Sequence, residues 1–474
     1  MLSLANDILK EFGVEVLMPT VIRDFIEIWR MVYICEPPWR DDNIRPLNLG
    51  VAVPSELARL TTLELKAQFG AEDEIMQRFL AGIKPIAEYT CALGSALFVP
   101  FTAQDGNIYI SSTPANQIYP VSFDENGRMT AVVLERTREY NAKFYTLLEY
   151  RNFDVNTGTE TIRYKAFQSF QPGYLGTEIL VEETGLWPLL KSGTHTVTGL
   201  TAPLFVYWRM PFAFPFDPNS PIGVSCYHSS LNLMEDADRQ YSRYLWEYEA
   251  GEFAINVDAS ALDVVPGRSF GVAHLNRRIY RAVEIKDLFQ EWNPTLRDGS
   301  IYAGLNNIFR QIEFRCGLSY GTLSDVNIQE KTATEIMASR QRSYATVSSI
   351  QASLEKALRE LSFALCEALK TPQIEPVFAW DDSIIVDTLQ EKNIFMQEIS
   401  AGIRAPWEYR VAFLGETEEQ AKKAIAEIEQ SSEPEMEMED EDEFVEEKKT
   451  NNGEEVEEEE EEKTEERENE EDDN

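Results

Sequence analysis

The sequence predicts an α+β protein in which helical segments flank an antiparallel sheet. Apolar residues recur three or four positions apart over residues 1–35 and 54–98, which is the spacing of one helix face. From residue 107 to residue 167 apolar and polar residues alternate, as in half-buried strands, and helical spacing returns at Tyr227. Turn residues suited to hairpins separate the alternating runs at Asp105-Gly106, Glu125-Asn126-Gly127 and Asn156-Thr157-Gly158.

Composition sets the size and class of the protein. The chain has 474 residues, 43% of them hydrophobic, which is enough for a sizeable core and predicts two or three domains. Its five cysteines are scattered and form no C-x-x-C pair, so we expect reduced core thiols rather than a disulfide framework. The N-terminus shows no signal-peptide pattern, and no apolar run approaches the ~20 residues of a membrane span. These features predict a soluble cytoplasmic product.

Charge is distributed unevenly along the chain. Of the formal net charge of −39, residues 433–474 contribute 25 acidic and 4 basic side chains, and they contain few apolar residues. Such a segment cannot offset the entropy of folding, so we expect it to be disordered. A solubility device, a site for a basic partner and a brush that excludes DNA all remain open for it. No Lys/Arg-rich block occurs, which argues against tight gripping of DNA phosphates.

Two helices of similar length are predicted on either side of a small insertion. The first helix carries an apolar stripe from Tyr227 and stops at Gly251. The second begins at Asp298, predicted as its N-cap, and stops at Gly317, which suits the left-handed conformation that ends helices. Residues 252–294 between them are rich in Gly, Pro and basic side chains.

A loop and a long helix follow Gly317. Thr332-Ala333-Thr334-Glu335 forms a predicted capping box, and the helix from Thr334 to Lys370 has apolar residues at spacings of three and four. At 1.5 Å per residue this helix spans roughly 55 Å. A strand at Pro376–Trp380 and small helices over residues 385–429 complete the predicted fold.

Two common nucleotide-binding motifs are absent from the sequence. The chain lacks G-x-x-x-x-G-K-[S/T] and G-x-G-x-x-G, so it is not predicted to be an ATP motor. No sequence signature supports a cofactor or metal site around its three histidines, His195, His228 and His274. We predict a protein that is not an enzyme.

Three other groups of residues each allow two interpretations. Tyr207-Trp208-Arg209 with three nearby phenylalanines favours a domain-junction core over a stacking surface for single-stranded nucleic acid. The four arginines between positions 268 and 281 could form a solvated turn or a docking patch for an acidic partner or phosphates. Lys331, Arg340 and Arg342, at the start of the long helix, could be ordinary surface charges or face DNA. The phenylalanines are Phe212, Phe214 and Phe216, and the four arginines are Arg268, Arg277, Arg278 and Arg281.

Several short motifs occur in a fixed order along the chain. They are Ile108-Tyr109-Ile110 through Pro120, Ser220-Pro221-Ile222-Gly223-Val224-Ser225 with Met234-Glu235-Asp236-Ala237-Asp238, Asn293-Pro294-Thr295-Leu296-Arg297, Gly317-Leu318-Ser319 with Thr332-Ala333-Thr334-Glu335, and Asp381–Asp387 followed by Ser400-Ala401-Gly402-Ile403. In this order they resemble the motifs of portal proteins of tailed bacteriophages of the siphovirus type, and the similarity extends over most of residues 1–430. Any one motif is weak, but their common order makes an accidental match improbable.

The resemblance implies a division of the chain into the parts of a portal subunit. These are a helical and antiparallel-sheet wing, a two-helix stem, a small α/β clip, a tunnel loop, a long helix with a helical crown, and the acidic tail. The implied boundaries are 1–217 for the wing, 218–251 and 295–316 for the stem helices, 252–294 for the clip, 317–331 for the tunnel loop, 332–430 for the long helix and crown, and 431–474 for the tail.

The resemblance further implies a ring, typically of twelve copies in the virion, assembled in the host cytoplasm and placed at one vertex of the capsid. Implied partners are the terminase large subunit, major capsid and scaffolding proteins, a head-completion or connector protein, and double-stranded DNA passing through the ring, with no membrane partner. Arg268, Arg277, Arg278 and Arg281 of the clip become a candidate docking patch. The residues implied to line the DNA channel are Asp325, Val326, Asn327, Ile328, Gln329, Glu330 and Lys331.

Two rival functions remain open. Asp381, Asp382 and Asp387 could hold Mg²⁺ in a metal-dependent nuclease or hydrolase, although turn and helix-capping roles suit these aspartates better. A capsid scaffold or adaptor without a channel would use the long helix as a coiled coil. The heptad register of that helix is clean over only about three turns, which disfavours this reading.

Overall fold

The computed structural model describes residues 7–8, 10–63, 65–251, 254–258, 279–282, 289–292, 295–325, 333–380 and 388–431. The described residues fall into two compact units, one before and one after residue 387. In the first unit, helices and antiparallel strands share one large apolar core, which confirms the α+β class. Among the described segments we find no helix with the length and apolar character needed to cross a bilayer.

The N-terminal helices pack around Trp29, which is fully buried. Pro19 precedes the first of them, as predicted from the break in the apolar pattern. The apolar faces of the helices, including Ile22, Val53 and Leu57, join the large core. These helices are α1 (Thr20–Tyr33), α2 (Leu49–Thr62), α3 (Asp73–Leu80) and α4 (Ile83–Leu93).

The predicted helical region 54–98 is wrong at two places. Residues Leu65–Gln68 form strand β1, which pairs with Val377–Trp380 more than 300 positions later, and residues 95–98 belong to a strand. A four-residue strand between two helices has too few residues for its period of two to stand out, and its partner is distant in sequence. The predicted strand near Pro376–Trp380 is confirmed as the partner of β1.

The predicted antiparallel module consists of two sheets. The smaller sheet has the order β10-β2-β3, and the larger, called here the large sheet, has the order β4-β5-β6-β7-β8 with β9 also paired to β7. All three predicted hairpin turns have their glycine at positive φ, at Gly106, Gly127 and Gly158. The strands are β2 (Ser95–Thr102), β3 (Ile108–Pro114), β4 (Ile118–Phe123), β5 (Met129–Tyr140), β6 (Lys143–Asp154), β7 (Thr159–Ser169), β8 (Thr177–Ile179), β9 (Gly193–Thr198) and β10 (Val206–Arg209).

A buried ionic cluster lies in the large sheet. Arg151 on β6 donates from Nε to Glu149 at 2.6 Å and from Nη1 to Glu160 on β7 at 2.7 Å. Glu160 also accepts the backbone N–H of Leu204 at 2.6 Å, and Arg136 on β5 lies 3.3 Å from Glu149. Burial opposes ionisation of Glu149, but the two arginines hold the pKa of this carboxyl below its usual value. The cluster therefore joins three strands and the segment before β10.

The next two long helices form an antiparallel pair. Helix α5 (Leu231–Ala250) and helix α6 (Asp298–Cys316) contact each other from end to end. At one end Arg315 donates to the carbonyl oxygen of Ser229 at 2.9 Å, and at the other Arg297 donates to Glu247 at 2.8 Å. Helix α5 begins at Leu231, later than the predicted boundary of 218, and residues 228–230 just before it form a short 3₁₀ helix.

Three short strands lie between α5 and α6 in sequence. They form a mixed sheet in which β11 is central, parallel to β12 and antiparallel to β13. Residues 259–278, which connect the two parallel strands in sequence, lie outside the described residues. The strands are β11 (Ala254–Asp258), β12 (Ile279–Ala282) and β13 (Phe289–Trp292).

Helix α7 (Ala333–Leu369) is the long helix that the sequence predicts. Its apolar stripe, which includes Val347, Ile350, Leu354 and Leu358, is fully buried in the large core of the same subunit. The helix contacts α2 and β10. The stripe is therefore not available to form a coiled coil, which removes the structural basis of the scaffold hypothesis. Strand β14 (Val377–Trp380) follows the helix.

The second unit contains three helices in its described part, as predicted for residues 385–429. Phe395 packs edge-on against Tyr409 and Phe413, with ring centroids 6.0 and 5.3 Å away. Lys422 lies 4.5 Å above the Trp407 ring. These contacts join α8 (Thr388–Ser400), α9 (Pro406–Leu414) and α10 (Glu418–Ser431).

Candidate functional site

The loop between α6 and α7 is the predicted functional segment, and its first nine residues, 317–325, are called here the loop root. Gly317 ends α6 with φ +71°, a conformation that suits glycine. A Cβ atom at this position would lie 2.1 Å from Oγ1 of Thr346 on α7. Leu318 is fully buried in the large core, and its N–H donates to the backbone oxygen of Glu313 at 2.9 Å. The root therefore starts at a fixed point between two helices.

Helix α7 holds the beginning of the root. Ser319 donates from its hydroxyl to Ser343 at 2.9 Å. The guanidinium of Arg342 lies 4.4 Å from the ring centroid of Phe314 on α6 and 5.4 Å from that of Tyr320. Cation–π contacts of this kind contribute about 0.5–1 kcal/mol when partly exposed. Arg342 is thus a packing residue between α6, the root and α7, which neither of its two predicted roles anticipated.

Helix α6 holds the rest of the root through one carboxylate. Glu313 is fully buried, and its Oε1 accepts the backbone N–H groups of Gly321, Leu323 and Ser324 at 3.1, 2.6 and 2.9 Å. Its Oε2 accepts the Ser324 hydroxyl at 2.7 Å. Hydrogen bonds to a charged acceptor are about twice as strong as neutral ones. The four bonds satisfy the buried carboxylate and fix the backbone over four residues.

Asp325 is anchored nearer the start of α6. Its N–H donates to Oδ1 of Asn306 at 2.7 Å, and its backbone oxygen accepts from Nδ2 of the same asparagine at 3.1 Å. The Tyr302 hydroxyl donates to Oδ2 of Asp325 at 3.2 Å. Because Tyr302 precedes Glu313 by eleven residues, the root runs back along α6 for roughly 16 Å.

Most residues predicted for the channel and the docking patch lie outside the described residues. Of the channel set only Asp325 is described, since 326–331 are not. Of the patch, Arg281 lies in β12, whose backbone alone is described, and Arg268, Arg277 and Arg278 lie outside. Both sets remain predictions. The same holds for Lys331, the side chain of Arg340, the capping box and the acidic tail.

The ends of the α5–α6 pair meet where the three-strand insertion begins and ends. Glu247 accepts the backbone N–H and the Nε–H of Arg297, both at 3.1 Å, and its pKa is lowered by the hydrogen bonds to Arg297. The prediction that Asp298 caps α6 is wrong: Asp298 is the first helical residue, and the hydroxyl of Tyr248 donates to it at 3.3 Å. An acidic side chain in the first turn still favours the helix dipole.

The aromatic patch is mainly core. Trp208 and Phe214 are buried in the large core, as the favoured interpretation predicts, whereas Phe216 is 72% exposed. His228 packs edge-on against Phe25 with centroids 4.7 Å apart, and burial lowers its pKa. It is a half-buried histidine packed against aromatic rings of the core.

The structure does not test the rival hypothesis of a metal-dependent nuclease or hydrolase. Asp381, Asp382 and Asp387 lie outside the described residues. Within the described ranges no group of three or more His, Cys, Asp or Glu side chains could hold a metal ion. The five cysteines are free, and four of them are buried.

Sequence reasoning missed Glu313, Asn306 and Tyr302, the residues of α6 that hold the root. One signal was present. Glu313 lies in the last turn of a predicted helix, where a negative charge opposes the helix dipole, and it lies between residues of the apolar face. Such a carboxylate needs donors beyond its own helix, and the loop that follows supplies them. Asn306 and Tyr302 have no comparable signal.

A two-helix hairpin that carries a small sheet, continues into an anchored loop and is followed by a long core helix is the arrangement expected of a phage portal subunit. The sequence matches the family described as phage portal protein, SPP1 Gp6-like, over residues 76–435, and the chain belongs to that family. A search of curated proteins found no match. Membership implies a phage portal role, a capsid-associated oligomeric ring and a place in the virion capsid. The family is structural rather than catalytic.

Proposed function

We propose that this chain assembles into a ring of twelve copies at a single capsid vertex and forms the channel through which double-stranded DNA is packaged and ejected. The family match over residues 76–435 carries this proposal, because it spans the α5–α6 pair, the loop and α7. Head-to-tail packing of one subunit around an axis closes a ring and leaves an axial opening.

The chain acts as a passive conduit in this proposal. The sequence has no phosphate-binding loop, so the terminase large subunit supplies the ATP chemistry and docks on the sheet formed by β11, β12 and β13. The proposed docking residues are Arg281, which belongs to β12, and Arg268, Arg277 and Arg278, which lie between β11 and β12 in sequence. The major capsid and scaffolding proteins contact the ring during assembly, and a head-completion protein contacts it afterwards.

The channel loop is proposed to contact DNA without holding it. Residues 325–329 alternate polar and apolar side chains, and residues 325–331 include one lysine and no arginine, so each subunit offers few cations to phosphates. At physiological salt the Debye length is about 8 Å, so acidic side chains influence the duplex mainly where the channel wall is close. A weakly interacting surface permits sliding, which a conduit requires.

The test is a deletion confined to residues 326–330. The deletion spares Ser324 and Asp325, since these two residues are bound to α6. We expect rings that assemble normally into proheads but fail to package or retain DNA, measured as nuclease-protected DNA per particle. A matched control replaces the same five residues with a Gly/Ser segment of equal length, which separates loss of length from loss of side chains. Normal packaging by the deletion variant would contradict the assignment of the channel loop.

A further inference from the structure

The loop root changes its partner helix at Gly321. Ser319 and Tyr320 contact α7, through Ser343 and Arg342. From Gly321 onward the described root contacts α6, through Glu313 and then Asn306. Gly321 has φ +95°, which glycine adopts without strain. The backbone therefore passes from one helix to the other over one residue.

We propose that Glu313, Asn306 and Tyr302 are positioning residues that fasten residues 321–325 to α6 and so set where the channel loop departs. This inference rests on the proposed function and extends it. Glu313 is suited to the task because three of its four donors are backbone N–H groups, so it specifies chain path rather than side-chain identity. Asn306 binds both the N–H and the oxygen of Asp325 and therefore fixes the orientation of that peptide.

The arrangement has a mechanical consequence. Any shift of α6 relative to α7 carries Asp325 with α6, because its backbone and side chain bind Asn306 and Tyr302. At one end Arg315 of α6 donates to Ser229 in the 3₁₀ helix just before α5, and at the other Arg297, immediately before α6, donates to Glu247 of α5. In the proposed ring, movement of this helix pair would therefore move the start of every channel loop by a similar amount.

The first experiment is hydrogen exchange on the assembled full-length protein, comparing E313A with E313Q. Alanine removes all four acceptor contacts, whereas glutamine keeps one oxygen for the three backbone N–H groups and can donate from its amide to the Ser324 hydroxyl. We expect exchange at Gly321, Leu323 and Ser324, whose N–H groups donate to Glu313, to be at least ~10-fold faster in E313A and within about 2-fold of wild type in E313Q. The control S343A should affect residues 319–320 and leave 321–324 unchanged.

The second experiment measures nuclease-protected DNA in proheads carrying each variant. We expect E313A to package at least ~10-fold less DNA than wild type at equal ring content, and E313Q to package normally. If E313A fails to fold, N306A and Y302F replace it, since both positions are solvent-accessible and touch only Asp325 of the root.

The two measurements separate the inference from the proposed function. Unchanged exchange in E313A, or equal acceleration throughout α6, would show that Glu313 does not fasten the loop root to α6. Accelerated exchange with normal packaging would show that this attachment does not position the channel loop. If wild-type rings package no DNA, the proposed function fails, whereas the exchange result still tests the attachment of the root to α6.

Discussion

Two regions of the molecule depend on fully or nearly fully buried carboxylates, and these have different partners. In the large sheet, Arg151 pairs with Glu149 and Glu160, Arg136 also pairs with Glu149, and Arg151 and both glutamates are buried. At the loop root, Glu313 of α6 is satisfied mainly by backbone N–H groups. The sheet carboxylates depend on other side chains, whereas Glu313 depends on the path of the chain itself.

This difference determines what a substitution does. Removing one member of a buried ion pair leaves an uncompensated charge and costs about 3–5 kcal/mol, although replacing a whole pair with apolar residues is often neutral. Removing a carboxylate that binds backbone N–H groups frees a few residues of loop. The sheet cluster therefore contributes to the stability of the subunit, and Glu313 contributes mainly to the position of one segment.

The largest expected effect is that of Arg151→Met. Methionine fills similar space without charge, so Glu160 stays buried without a cation and Glu149 keeps only Arg136, and we expect the free energy of unfolding to fall by about 3–5 kcal/mol in urea titrations. Arg128→Ala is the control, because Arg128 and Glu360 are 3.9 Å apart and both are partly exposed. Its loss should be below about 1 kcal/mol. Equal losses of stability in the two variants would show that the buried cluster contributes no more than a partly exposed ion pair.

A smaller effect concerns pH and another buried carboxylate, that of Asp238 on α5. It accepts from the Trp39 indole and the Leu47 N–H, both at 2.8 Å, and burial raises its pKa. An acid with a raised pKa in the folded state costs stability when ionised, and that cost is relieved as pH falls toward the raised value. Glu149, whose pKa is lowered, keeps its contribution until pH falls below its ordinary value of about 4.3.

The measurement compares wild type with Asp238→Asn by urea unfolding at about pH 7 and about pH 5. We expect the stability of wild type relative to the variant to rise as pH falls, since only wild type loses a buried charge. Arg151→Met keeps Asp238 but changes the surroundings of Glu149 and Glu160, so the pH dependence of its stability shows the contribution of those two carboxylates. A relative stability that falls or stays constant would show that Asp238 is not penalised by burial.

The sequence alone predicts the elements that have a long apolar pattern or that end at a clear turn or helix-ending residue. The apolar stripe of α7 and the glycine that ends α6 at Gly317 lie where the spacing places them. The pairing of β1 with β14 was not predictable, because it joins two four-residue strands distant in sequence. The contacts of Glu313 were missed for a related reason: its partners are backbone N–H groups, which every residue carries and no pattern marks.

The central claim is that the subunit forms a ring with an axial opening, and native mass measurement combined with negative-stain imaging tests it most directly. Twelve copies of 54.2 kDa amount to about 650 kDa. We predict rings with a central hole at this mass, either from the purified chain or after co-assembly with capsid and scaffolding proteins. A uniform monomer or dimer under both conditions would contradict the account.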